Sequence, residues 1–189
     1  MSPRKTTEDR SVYQIKVTLR DSKPPVWRRI QVTSDATLYK LHWILQVVMG
    51  WTNSHLHQFI IDREYYGEPH PDYGYEMINE RRVKLSEVVS DVKDRFIYQY
   101  DFGDDWEHEI LVEKILPPEA GVRYPICLKG KRACPPEDCG GVWGYDSFLE
   151  AIQNLDHPGH DSMLEWAGGS FDPEAFDLDE VNRELKKIK

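Results

Sequence analysis

The stretch YQIKVTLRDSKPPVWRRIQV, residues 13–32, decides the fold class. Its start alternates, with Tyr13, Ile15, Val17 and Leu19 on one face and Gln14, Lys16 and Thr18 on the other. That is the period of a half-buried strand. Asp21-Ser22-Lys23-Pro24-Pro25 is turn chemistry, and a second strand over Val26 to Val32 completes an antiparallel hairpin with a five-residue loop. The even face of that strand carries Val26, Arg28, Ile30 and Val32, which sets an arginine among apolar side chains. A buried cation needs a carboxylate or carbonyl partner. Asp101, Asp104 and Asp105 are within one downstream turn, and the pair expected is Arg28 with Asp101, in a bidentate contact that anchors the hairpin.

Beyond the hairpin, Leu38, Leu41, Leu45 and Val48 recur at helical spacing, with Ser34, Asp35 or Thr37 to cap the start and Gly50 to stop the end. His55 to Ile61 reads as a third strand. A tyrosine-rich excursion follows over 64–76, then a short helix within Val83 to Val92. Arg95 to Tyr100 and Trp106 to Ile115 read as strands joined by Asp101-Phe102-Gly103-Asp104-Asp105. Five of the 12 prolines fall in 117–136, where regular structure is not expected. Helices follow: one started by Ser147 and Glu150 at capping-box spacing, a short one capped by Asp161, and a last one from Leu178 capped by Asp177. The expected fold is α+β, a mainly antiparallel sheet with a β-grasp-like ββαβ start and a helical C-terminal third. A single domain spans 1–189, with a sheet-rich part at 12–116, a Pro/Cys loop region at 117–145 and a helical part at 146–189.

The 189 residues include 24 Lys and Arg against 33 Asp and Glu, a formal net charge of −9. Residues 1–60 hold 9 basic and 4 acidic side chains, whereas residues 137–189 hold 4 and 13. With 6 Trp, 10 Tyr and 6 Phe the chain is too aromatic for a disordered one. Its acidity argues against nucleic acid as a partner, except at the basic N-terminal 60 residues. A protein partner fits better. MSPRKTTEDR at 1–10 has no apolar core of a signal peptide, and Leu38 to Met49 is too short and polar to span a bilayer. Three cysteines do not make a disulfide scaffold. A cytoplasmic protein without membrane contact is expected.

Six strings stand out together: PPVWRRI (24–30), LHWILQVVMGW (41–51), SHLHQF (54–59), YDFGDDWEHEI (100–110), CPPEDCGGVWGY (134–145) and WAGGSFDPEAFD (166–177). This set resembles the plasmid pRiA4b ORF-3-like family, also met as passenger proteins of a mobile element. The resemblance covers roughly residues 12–180. It implies a single α+β domain and no particular reaction.

Two groups of residues invite a chemical reading. His55 and His57 on one strand face, with Asp104, Asp105 and His108 of the acidic hairpin, are the parts of a metal-dependent hydrolase or nuclease. Parity cuts against this, because Trp106, His108, Ile110 and Val112 should face inward and Glu107, Glu109 and Glu113 outward. Cys127, Cys134 and Cys139 cluster like ligands of a structural zinc, with His157 as the fourth ligand and His160 or His108 as alternatives. The competing reading is three small side chains packing an irregular loop. Tyr65, Tyr66, Tyr73 and Tyr75 offer a surface for a protein or small molecule, since interleaved acids repel phosphates. There is no phosphate-binding glycine motif, no G-x-S-x-G and no H-E-x-x-H. The leading expectation is therefore a binding or interaction module without catalysis, with the hydrolase as its rival. No cofactor is implied beyond the candidate zinc.

Overall fold

Alternation in the first hairpin becomes one row of a wide sheet. In a computed structural model, which describes residues 10–70 and 76–188, strands β1 (Val12–Leu19) and β2 (Trp27–Thr33) pair antiparallel, with Ile15 opposite Ile30 and Val17 opposite Arg28. Six more strands join them: β3 (His57–Ile61), β4 (Glu64–Gly67), β5 (Ile78–Asn79), β6 (Arg95–Tyr100), β7 (Trp106–Leu116) and β8 (Ile126–Lys131). The order across the sheet is β5-β4-β3-β6-β7-β1-β2-β8, antiparallel except where β4 meets β5. Five helices complete an α+β architecture: α1 (Leu38–Met49), α2 (Leu85–Val88), α3 (Gly141–Gln153), α4 (His160–Trp166) and α5 (Leu178–Leu185). Tyr73 and Tyr75 of the tyrosine-rich excursion, like residues 1–9, lie outside the described residues.

Pleating sorts the sheet into a dry face and a wet one. Successive inner rows read Ile30, Ile15, Val112; then Arg28, Val17, Ile110, Phe96; then Leu19, His108, Tyr98, Phe59; then Trp106, Tyr100, His57. Leu38, Leu41, Ile44, Leu45 and Val48 of α1 pack on this face. Thr37 caps α1 by accepting from Lys40 N–H, and left-handed Gly50 ends it. The opposite face is solvated and charged. Arg29 holds Glu113 with two hydrogen bonds of 2.6 and 2.8 Å, and Arg20 and Arg95 pair with Glu107 and Glu109.

Some local expectations give way to long-range pairing. β8 lies inside the proline-rich region as an edge strand on β2, where Pro125 precedes the ladder and costs it no donor. α2 is one turn long. α3 starts at Gly141, six residues before Ser147, whose hydroxyl instead donates to the Trp143 carbonyl inside the helix. α4 is entered through Gly159, without a side-chain cap from Asp161. Asp177 caps α5 as its position predicts.

Arg28 is buried, 2% exposed, but Asp101 is not its partner. Its Nε donates to the Val48 carbonyl at 2.7 Å, and Nη1 donates to the carbonyls of Trp27 and Lys131 at 2.9 and 3.0 Å. The correction follows from sheet order. Three strand spacings separate β2 from β6, about 14 Å, beyond the reach of one side chain. Val48 is one of the last four carbonyls of α1, which lack helical partners and sit at its negative end, so the guanidinium caps that helix from below. Phe176 covers the cation at 4.4 Å. Burial lowers the Arg28 pKa from its ordinary value. Gly130 permits this packing, because a Cβ there would meet the Phe176 ring at 2.5 Å and Arg28 Cδ at 2.8 Å. Among the described residues no helix is long and apolar enough to cross a membrane.

Arg28→Ala strips three carbonyls of a charged donor and opens a cavity, so it is expected to lower unfolding stability by about 3 kcal/mol or more. Urea denaturation against Arg95→Ala, an exposed control, checks this, and equal losses would contradict it.

Candidate functional site

Three segments meet at the end of the sheet where β3 begins, β6 ends and β7 begins: Trp51–His57, the turn after Tyr100, and the loop 134–141. After Gly50 the chain reverses, Trp51 stacks on Tyr100 at 4.9 Å, and its indole N–H donates to the Pro135 carbonyl at 3.0 Å. Glu137 fastens the loop. Its Oε2 accepts from the Thr52 hydroxyl at 2.6 Å and the Thr52 N–H at 3.2 Å, and its Oε1 accepts from the Tyr100 phenol at 2.5 Å. Tyr100 Oη in turn accepts from the Ser54 N–H. Burial first, and then the Glu137 carboxylate, raise the Tyr100 pKa. On the other side Asp104 Oδ2 accepts from the Gly140 N–H at 3.0 Å, and Gly141, at φ +68°, lies so close that a Cβ would meet the Asp104 carbonyl oxygen at 2.5 Å. The two glycines therefore let α3 start hard against the acidic turn.

This convergence brings His55, Asp101 and Asp138 together. His55 Nδ1 is 3.5 Å from Asp101 Oδ2 and Nε2 is 3.2 Å from Asp138 Oδ1. One ligand atom from each residue lies within 4.8 Å of the others. An imidazole with two carboxylates is a nitrogen–oxygen donor set suited to a first-row divalent cation.

The hydrolase set expected from sequence is not assembled. Only His55 of it enters a three-residue ligand group among the described residues. His57 turns to Glu80 at 2.9 Å. His108 is fully buried on the inner face, as parity requires, with Nδ1 3.2 Å from the Tyr98 carbonyl. Asp104 is taken by Gly140, and Asp105 accepts from the Gln99 amide. Nor do any three of Cys127, Cys134, Cys139 and His157 form a ligand group among the described residues. Cys127 points into β8 packing, its thiol 3.6 Å from the Arg29 carbonyl, while His157 Nδ1 accepts from the Gly159 N–H. Burial pushes Cys127 up to about 11 and Cys139 up to about 12 and raises Cys134, so all three are protonated thiols at neutral pH.

Beside the site lies a buried polar network that sequence reasoning missed. His42 stacks on His57 with ring centroids 3.5 Å apart, and Glu80 is buried. His42 Nδ1 is 2.8 Å from Tyr98 Oη and Nε2 is 2.9 Å from Asn53 Oδ1, so Nε2 carries the proton and Nδ1 accepts. Gln46 completes it, donating to Tyr98 Oη and accepting from the Asn53 N–H. The available signal was His42 and Gln46 one turn apart on the apolar face of α1. Burial, with the His57 ring second, pushes His42 down to about 3, and burial pushes His108 down to about 4.

Known proteins share this sequence and fold. A family model described as plasmid pRiA4b ORF-3-like protein matches residues 11–180. The chain is 42% identical over 180 residues to the uncharacterized protein y4hQ of Sinorhizobium fredii, covering 94% of this chain and 92% of that one. A crystal structure of the protein of unknown function MM3350 from Methanosarcina mazei Go1 is 40% identical and superposes with a TM-score of 0.84, covering 91% of this chain and 97% of that one.

The two depressed histidines set a pH dependence. Both protonate in the unfolded chain near pH 6.5 but in the folded chain only at about 3 to 4. The unfolded state therefore binds more protons between those values, and stability falls as pH drops through that window, by up to about 1.4 kcal/mol per pH unit for each group. His108→Leu removes one of them. Its stability, followed by urea denaturation from pH 7 to 4.5, is expected to fall less steeply than that of the wild type, and an equal slope would contradict the assignment.

Proposed function

The chain belongs to the plasmid pRiA4b ORF-3-like family, and we propose that it serves there as a non-catalytic binding module that docks a basic, apolar-anchored polypeptide segment on its C-terminal helices. The observation that carries this reading is the groove between α3 and α4, about 420 Å³, floored by Phe148 and walled by Met163 and Trp166. Trp166 is 48% exposed although it packs edge-on against Phe148, and Met163 is 40% exposed. Exposed Trp and Met beside a concave surface are the residues that supply binding energy at protein interfaces.

Charge favours a cationic partner. From Ala133 to Asn182 there is not one Lys or Arg, and there are 12 Asp and Glu. Asp138 lines the groove, and Asp146, Glu150, Asp161 and Glu165 are exposed on α3 and α4. The acids of the sheet's outer face are neutralised by arginines of the same chain, whereas the charges around the groove have no such partners in their own segment. Such a rim attracts a cationic partner and repels phosphate backbones. We place the protein in the cytoplasm. A plasmid or mobile-element setting rests on the family alone, and the β1-β2-α1-β3 start, read as β-grasp-like beside a helical C-terminal third, implies no activity.

Paired peptides with the same apolar pattern, one rich in Lys and Arg and one in Glu, test the reading by tryptophan fluorescence. The basic member is expected to bind, more weakly as salt rises, with Trp166→Ala and Met163→Ala each costing at least about tenfold. Equal binding of both peptides, or affinity untouched by the two substitutions, would overturn it.

A further inference from the structure

We propose that His55, Asp101 and Asp138 form a site for one first-row divalent cation such as Mn²⁺ or Zn²⁺. The three come from segments already fastened to one another, so the site is formed by folding and needs no rearrangement of the chain to assemble.

Each residue contributes a distinct observation. The Asp101 side chain is only 10% exposed, and its Oδ1 is held by the N–H groups of Gly103 at 3.0 Å and Asp104 at 3.4 Å. Those amides orient the carboxylate as outer-shell donors orient metal ligands. Oδ2 is left aimed at the His55 ring, and among the described residues no Lys or Arg pairs with it. His55 Nε2 is sealed from solvent yet makes no hydrogen bond, although Asp138 Oδ1 is 3.2 Å away. Trp106 Nε1, His108 Nε2 and Tyr145 Oη are buried without a partner too, but among the described residues only His55 of the four belongs to a three-residue ligand group, and an ion between Nε2 and Asp138 would satisfy both. Asp138 stands at φ +62° in the loop that Glu137 pins, with its side chain 70% exposed. The solvent side of the site is therefore open, and water or a ligand group would complete the coordination shell.

Donors at about 2.0–2.2 Å from a common centre lie roughly 3.0–4.4 Å apart. His55 Nε2 and Asp138 Oδ1, at 3.2 Å, fall in that range, and the three ligand atoms lie within 4.8 Å of one another. The imidazole disfavours Mg²⁺ and Ca²⁺, which take oxygen ligands, and the absence of thiolate disfavours soft ions. The rival arrangement is an imidazolium held between two carboxylates with no metal at all. The site adjoins the groove through Asp138 but does not depend on a peptide docking there.

Mn²⁺ is the probe, because thiols hold it poorly and the cysteines nearby then stay silent. Titration of the full chain followed by electron paramagnetic resonance is expected to give one bound ion per chain and a rise in Tm with added Mn²⁺. His55→Gln and Asp138→Asn are each expected to weaken binding at least about tenfold. Asp138→Asn sits on an exposed side chain and should leave the metal-free Tm unchanged, which keeps the test clear of misfolding. No uptake by the wild type at millimolar Mn²⁺, or uptake equal in wild type and Asp138→Asn, would overturn the proposal.

Discussion

Glu137 holds together everything that could act. Its carboxylate joins the loop 134–141 to Thr52 and Tyr100 at the end of the sheet. Two consequences follow directly. Asp138, the next residue, is delivered to His55, and Gly140 is delivered to Asp104, where α3 begins. The groove between α3 and α4 depends on where that helix starts. One carboxylate, shared between a strand residue and the segment after α1, thus positions both the His55–Asp101–Asp138 cluster and the groove between α3 and α4.

Two buried polar groups under α1 are satisfied where they fall. Arg28 enters an apolar row and is met by carbonyls, one of them at the end of α1. His42, Gln46, Asn53 and Tyr98 close a ring of donors and acceptors under the same helix. Such networks hold a core in one arrangement because each member would be costly alone. At the sheet end His55 Nε2 makes no hydrogen bond, and among the described residues no Lys or Arg pairs with Asp101, so unmet demand is left beside the exposed Asp138.

Periodicity made much of the fold legible. α1 could be read from Thr37 to Gly50 because cap, apolar stripe and stop agreed, and the parity of β7 correctly sent His108 inward and the glutamates outward. β8 was not legible, since Ile-Cys-Leu-Lys-Gly-Lys does not alternate and becomes a strand only through pairing with β2. The start of α3 was masked by a capping-box spacing six residues inside it. His55 was legible as a site residue. Asp101 was assigned to the wrong cation because sheet order cannot be read from one hairpin, and Asp138 was hidden beside cysteines that drew the metal reading to themselves. Glu80 gave no signal, as its role exists only through the close approach of His57.

Amide hydrogen exchange on Glu137→Ala tests the central claim most directly, that one carboxylate fastens the C-terminal helices to the sheet end. The amides from Gly140 to Gly144 should lose protection while β1 and β7 keep theirs. Protection at Gly140–Gly144 equal to that of the wild type would contradict it.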